Sequence, residues 1–115
     1  MIESTIVTWL LPVGAEVFAV LAPQRFKGPF IAYRIENEFT PEDGFAPFGA
    51  TGHRVRFSVQ AESYKQASEL KDELVNALVL ERNGFLVSTV DRGDFYDEDV
   101  DRYDIIIDTE ITVMQ

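Results

Sequence analysis

The sequence predicts an α+β fold: a single small domain spanning residues 1–115, with two helices packed on one face of an antiparallel-rich sheet of four to five strands. Three stretches carry this expectation. His53 to Ala61 alternates, with Val55, Phe57, Val59 and Ala61 facing one way and Arg54, Arg56, Ser58 and Gln60 the other. Ser63 to Leu80 repeats its apolar residues at a helical period behind a capping serine. Tyr103 to Val113 alternates again, with Tyr103, Ile105, Ile107, Thr109, Ile111 and Val113 on one face. Its other face carries Asp104, Asp108 and Glu110, with Ile106 as the exception.

The remaining elements follow in chain order. Ile2, Ile6, Trp9 and Leu10 share one face of a short N-terminal helix, which Pro12 and Gly14 end. Val17 to Leu21 is a short apolar run; its length favours a buried strand over a helical turn. Phe30 to Ile35 is a strand launched by Pro29. Phe39 to Gly52 contains Pro41, Gly44, Pro47, Gly49 and Gly52 and reads as a loop. In the second helix Ala67, Leu70, Leu74, Ala77 and Leu78 form the apolar stripe, Gln66 can complete a capping box with Ser63, and Asn83-Gly84 supplies a stop. Phe85 to Val90 is a strand, and the acidic stretch Asp91 to Asp101 reads as a turn or long hairpin loop. No internal repeat, linker or low-complexity tract interrupts this order.

A chain of 115 residues can bury about 65% of its unfolded surface, enough for a core without staples. There is no cysteine, hence no disulfide framework and no thiolate metal site. No apolar run approaches a membrane span, and the first residues lack the basic lead of a secretory signal, so a soluble protein without membrane contact is expected. The formal net charge is -10, and residues 85–115 hold two basic and nine acidic side chains, -7 of the total. Such a field repels phosphates and argues against specific nucleic-acid binding.

Catalytic signals are weak. His53 is the single histidine, and no nucleophile elbow accompanies it. Asp97, Asp99 and Asp101 begin a calcium-loop spacing, but Arg102 stands where the sharp turn wants glycine and Asp108 where a bidentate glutamate belongs. The expectation is therefore no enzyme, no cofactor and no metal. Arg54 and Arg56 form a basic spot on an acidic protein; they are expected to pair with acids of a neighbouring strand, with acids of a neighbouring subunit, or to contact DNA. Phe39, Phe45 and Phe48 sit among glycines and prolines and need a cover, from this domain or from a neighbour.

The run Pro29-Phe30-Ile31-Ala32-Tyr33, the Thr51-Gly52 leading into Arg54 to Gln60, the helix Tyr64 to Leu78 and the strand pair Phe85 to Val113 follow a short helix at residues 2–11. In order and length this resembles the small tail terminator proteins of long-tailed bacteriophages, also called tail completion or head-to-tail joining proteins. The Phe39 to Ala50 loop and Ala61-Glu62 depart from that pattern. The resemblance implies a structural virion protein, assembled in the host cytoplasm and placed in the tail or neck. It implies a ring, typically a hexamer, that caps the tail tube, ends its polymerisation and meets the head connector or stopper, while DNA passes without specific binding. On that reading Phe39, Phe45, Phe48, Arg54 and Arg56 form subunit or partner contacts. Asp94, Asp97, Asp99, Asp101, Asp104, Asp108 and Glu110 are candidates for lining the channel. Another phage neck or tube component is the near alternative. A cellular α+β binding module or small enzyme is the distant one.

Overall fold

The computed structural model describes residues 2–19, 28–39, 51–80, 84–98 and 101–113. Its elements are α1 (Ile2–Trp9), β1 (Glu16–Ala19), β2 (Phe30–Phe39), β3 (Thr51–Ala61), α2 (Tyr64–Val79), β4 (Phe85–Asp97) and β5 (Arg102–Val113). The strands form one sheet in the order β1-β2-β3-β5-β4. β1 runs parallel to β2, and every other neighbouring pair is antiparallel. The expected α+β class, with two helices on one face of an antiparallel-rich sheet, is what the chain adopts.

Alternation builds the core. Val55, Phe57, Val59 and Ala61 of β3 stand opposite Thr109, Ile107, Ile105 and Tyr103 of β5, so each ladder step adds a pair to the same face. Ile31 and Tyr33 of β2 extend this face across Val59 and Phe57. Leu70, Leu74 and Leu78 of α2 and Ile6, Trp9 and Leu10 of α1 close over it in one cluster. Trp9 meets Phe85 of β4 edge to face, with ring centres 5.0 Å apart. Ser63 caps α2 by accepting the Gln66 backbone N–H at 3.1 Å. The helix ends when Leu80 turns to an extended conformation, φ −58°, ψ 127°.

Three expectations need correction. β1 is an edge strand whose residues are half-buried or exposed, because only β2 flanks it; it is not a buried strand. β2 continues through Glu36, Asn37, Glu38 and Phe39, and β3 starts at Thr51, so Phe39, Thr51 and Gly52 are strand residues and not part of a loop. The acidic stretch is not a loop from Asp91: β4 runs to Asp97, paired with β5 down to Arg102. Two bulges explain the last two misreadings. The ladders slip between Ile35 and Asn37 and between Asp91 and Gly93, inserting Glu36 and Arg92 as extra residues. A bulge moves the following side chains by one position, so the period of two fails across it. Gly93, at φ 125°, takes the conformation the second bulge requires, and its N–H is held by Asp91 Oδ1 at 2.9 Å.

Beyond Asp94 the β4–β5 hairpin has exposed residues on both faces of β4, and the molecule is elongated, 46 × 23 × 22 Å. This projecting end is called the arm below. Asp101 turns it at φ 54°, a left-handed conformation that aspartate tolerates. Among the described residues no helix is long and apolar enough to cross a membrane.

Candidate functional site

The sheet face opposite the helices has no second layer among the described residues, and most of the singled-out side chains lie on it. Register places them. Arg54 stands opposite Glu110 and Arg56 opposite Asp108 on β3 and β5. The Arg56 guanidinium donates two hydrogen bonds to Asp108, from Nε at 2.8 Å and from Nη2 at 3.1 Å. Arg54 Nε donates to Glu110 at 3.2 Å. The two bulges then deliver the missing partners. Glu36 reaches Arg56 at 3.4 Å from one side, and Arg92 donates to the second Asp108 oxygen at 2.8 Å from the other. Arg34 adds a looser contact to Glu36 at 3.7 Å. Arg34, Glu36, Arg56, Asp108 and Arg92 thus form one ion-pair chain across four strands, and Arg54 with Glu110 forms a separate pair beside it.

Electrostatics follow from the geometry. The Arg56 hydrogen bonds hold the Asp108 carboxyl below the usual carboxylate range; partial burial opposes this, and Arg92 adds to it. The same contact raises the Arg56 guanidinium above its ordinary value. These pairs are partly solvated, so each contributes at most about 1 kcal/mol to stability. Their use lies in geometry: they fix a charged pattern on the face. Glu36, Arg54, Ser88, Val90, Arg92 and Glu110 line a shallow recess around Asp108.

Two further groups share the face. Phe39 lies across Gly52, and the Arg54 guanidinium sits 4.2 Å from the centre of its ring. Nearer the arm, Ser58 Oγ donates to Asp104 Oδ1 at 2.6 Å, and Gln60 Nε2 donates to Ser58 Oγ at 3.1 Å. Burial pushes the Asp104 carboxyl up, against the Ser58 hydrogen bond and with help from the Asp97 charge. Arg102 is buried there; it donates to the Gly28 carbonyl at 2.5 Å and covers the Phe30 ring at 4.9 Å.

The arm is fastened on the helix side. Tyr64, at the start of α2, donates its hydroxyl to Asp94 at 2.7 Å and packs edge to face on Tyr103. Tyr96 also packs on Tyr103, at a tilt with ring centres 4.9 Å apart, and donates to Asp101. Both phenols are raised above their usual range, chiefly by these carboxylates.

The acids picked from the sequence therefore separate. Asp104, Asp108 and Glu110 are on the helix-free face, and Asp97 shares their side of the ladder. Asp94 lies on the helix side, and Asp101 belongs to the turn. Phe45, Phe48 and Asp99 fall outside the described residues. Phe39 is in a strand rather than a loop, half-buried against Gly52 and Arg54. Arg54 and Arg56 pair with acids of the next strand in the same chain. Sequence reasoning missed Glu36 and Arg92, since both sit where a bulge breaks the alternation; an unpaired charge beside Asn37 or Gly93 was the available signal.

His53 is 8% exposed and has Glu38 and Ile111 beside it in the ladders. Its Nδ1 is 3.8 Å from Glu38, too far for a hydrogen bond. Among the described residues no group of three or more His, Cys, Asp or Glu is arranged to hold a metal ion.

No protein-family model and no curated protein matches the chain. A solved structure does. A chain in the virion of a native gene transfer agent particle has this fold, with a TM-score of 0.60 over 93% of this chain and 84% of that one. The two sequences are 17% identical, so the likeness establishes the fold.

Proposed function

We propose that the chain is a structural protein of a phage-like virion, and specifically a tail terminator. Copies of it form a ring, typically of six, that caps the finished tail tube, stops its growth and meets the head connector. The observation that carries this reading is the fold shared, over 93% of the chain, with a chain of a gene transfer agent virion. It stands beside the resemblance of Pro29 to Tyr33, Thr51 to Gln60 and Tyr64 to Leu78 to tail terminators. The chemistry of the helix-free face agrees: a fixed ion-pair lattice with only a shallow recess suits a protein surface better than a substrate.

DNA passes through the ring without specific binding. Repulsion comes from the net charge of -10 as a whole. Asp108 and Glu110 add little to it locally, because Arg56, Arg92 and Arg54 already neutralise them. On this reading Phe45, Phe48 and the arginine-bearing face contact neighbouring subunits or the tube. The protein acts by fit and not by catalysis.

Electron microscopy of the purified chain, alone and with growing tail tubes, tests the proposal. Rings that sit at one tube end and halt extension are the expected result. A chain that remains single and leaves tube growth unchanged overturns it. Incorporation along the tube wall would instead identify another tube component.

A further inference from the structure

The two edges of the sheet differ. β1 offers only four residues, and so short an edge pairs poorly. β4 offers thirteen, and among the described residues no strand pairs with its outer side. Its far half is guarded by the bulge at Gly93 and by Asp94, Asp97 and Glu98. The near half is not. Phe85 to Val90 holds no charge, no proline and no glycine, and Phe85, Val87, Thr89 and Val90 are strong strand formers. Leu86 and Val90 are 48% and 49% exposed on the helix-free side, beside Thr112 and Asp108 of β5.

Electrostatics and symmetry decide what can lie against this strip. The chain carries -10, so two copies repel over most of their surfaces. Along this edge the charges are already cancelled. Asp91 is 3.6 Å from Lys71 Nζ, Asp108 is held by Arg56 and Arg92, and Glu110, beside Ser88, is held by Arg54. The strip is also self-complementary. Leu86-Val87-Ser88-Thr89-Val90 has a large apolar residue at each end, a β-branched residue next to each, and a small serine in the middle. Laid antiparallel on a second copy about Ser88, it sets Leu86 against Val90 of that copy and Val87 against Thr89.

We infer that two copies pair edge to edge through Phe85 to Val90 of β4, antiparallel, with the two-fold axis at Ser88. The free N–H and C=O groups of the edge gain partners, Leu86 and Val90 are covered, and the two five-stranded sheets become one. A two-fold contact closes at the pair. It therefore goes beyond the ring reading, which uses other surfaces, and describes the chain apart from any tube. Six residues span about 20 Å, a small contact, so the pair forms in concentrated solution and parts on dilution.

Sedimentation of the wild type from about 1 μM to about 1 mM chain should show a transition from single copies to pairs. Leu86→Lys puts a charge against Val90 of the second copy and weakens pairing about tenfold or more. Adding Val90→Glu to the same chain restores it, because each lysine then faces a glutamate across the seam. Within one strand those positions are about 13 Å apart, too far to satisfy each other. Far-ultraviolet circular dichroism checks that each variant is folded. Pairing by Leu86→Lys equal to wild type overturns the inference, and so does a double variant as weak as the single one. A wild type that stays single at every concentration overturns it too. Rings at tube ends are scored separately, so the ring reading stands or falls by itself. The absence of native cysteine gives a second route that leaves Leu86 and Val90 in place. Under mild oxidation Ser88→Cys should link two copies, since directly opposed strand residues have Cα atoms about 4.5–5.5 Å apart, within disulfide reach. Lys65→Cys on α2, where the native side chain is 87% exposed, is the control. Equal linkage of both variants, or of neither, overturns the pairing.

Discussion

Asp108 and Asp104 sit four positions apart on one strand face, yet their environments push them in opposite directions. Asp108 is held below its free value of about 3.9 by Arg56 and Arg92, so its contribution is present above about pH 4 and is lost as the pH falls through its folded value. Asp104 is raised by burial, so its ionised form costs stability above its folded value and the cost is relieved as the pH falls. Asp108→Asn should therefore lose about 0.5–2 kcal/mol at pH 7 and less at low pH. Asp104→Asn should gain stability at pH 7 and keep its Ser58 hydrogen bond. Urea denaturation at the two pH values measures both; matching shifts in both variants would contradict the assignment. Gly52 makes a second residue-scale case. A Cβ there would come within 2.4 Å of the Phe39 ring, so Gly52→Ala should displace the ring and its Arg54 partner. A loss of about 1–3 kcal/mol is expected from the overpacking. The sequence marked Gly52 only as a loop breaker, because a glycine's role beneath an aromatic ring depends on a partner strand that spacing alone does not name.

Elements read well where one face is buried and poorly where neither is. The stripe of α2 was legible because Leu70, Leu74 and Leu78 all enter the core, and Leu74 is fully buried. Leu74→Ala should cost about 2–5 kcal/mol, and Ser63→Ala about 1 kcal/mol through the lost cap. Chemical denaturation separates the two, and a Leu74 loss under about 0.5 kcal/mol would contradict the packing. The end of β4 was illegible for the converse reason. From Asp91 onward the strand is exposed nearly throughout, so no hydrophobic alternation could signal it. Its shape depends on Gly93, whose φ of 125° side chains rarely adopt. Gly93→Val should cost about 1–3 kcal/mol and withdraw Arg92 from Asp108. Faster amide exchange confined to Gly93 to Arg102 would register it, and uniform exchange along β4 would show that the bulge is not the hinge of the arm.

At the scale of the whole molecule, the sheet order was beyond what spacing can decide. Alternation told that β3 and β5 each have a buried face; it did not tell that they lie side by side with β4 outside. The candidate site was legible as residue types, in Arg54, Arg56, Asp108 and Glu110, and not as a lattice, since Glu36 and Arg92 enter it only through bulges. Phe45 and Phe48 remain part of the proposed contact surface. Replacing both with serine should leave the melting temperature nearly unchanged and weaken assembly. Assembly equal to wild type would remove that segment from the interface.

The strand order also has a consequence in time. β2–β3 and β4–β5 are each formed by antiparallel neighbours in sequence, so each ribbon can close locally. The sheet becomes continuous only at the β3–β5 seam, where Arg56 and Asp108 meet across 52 positions of chain. That closure is the expensive step, because its loop entropy is lost before the seam's contacts are gained. Folding should therefore resemble the docking of two preformed ribbons, with α2, the helix spanning them, packing down as the seam closes.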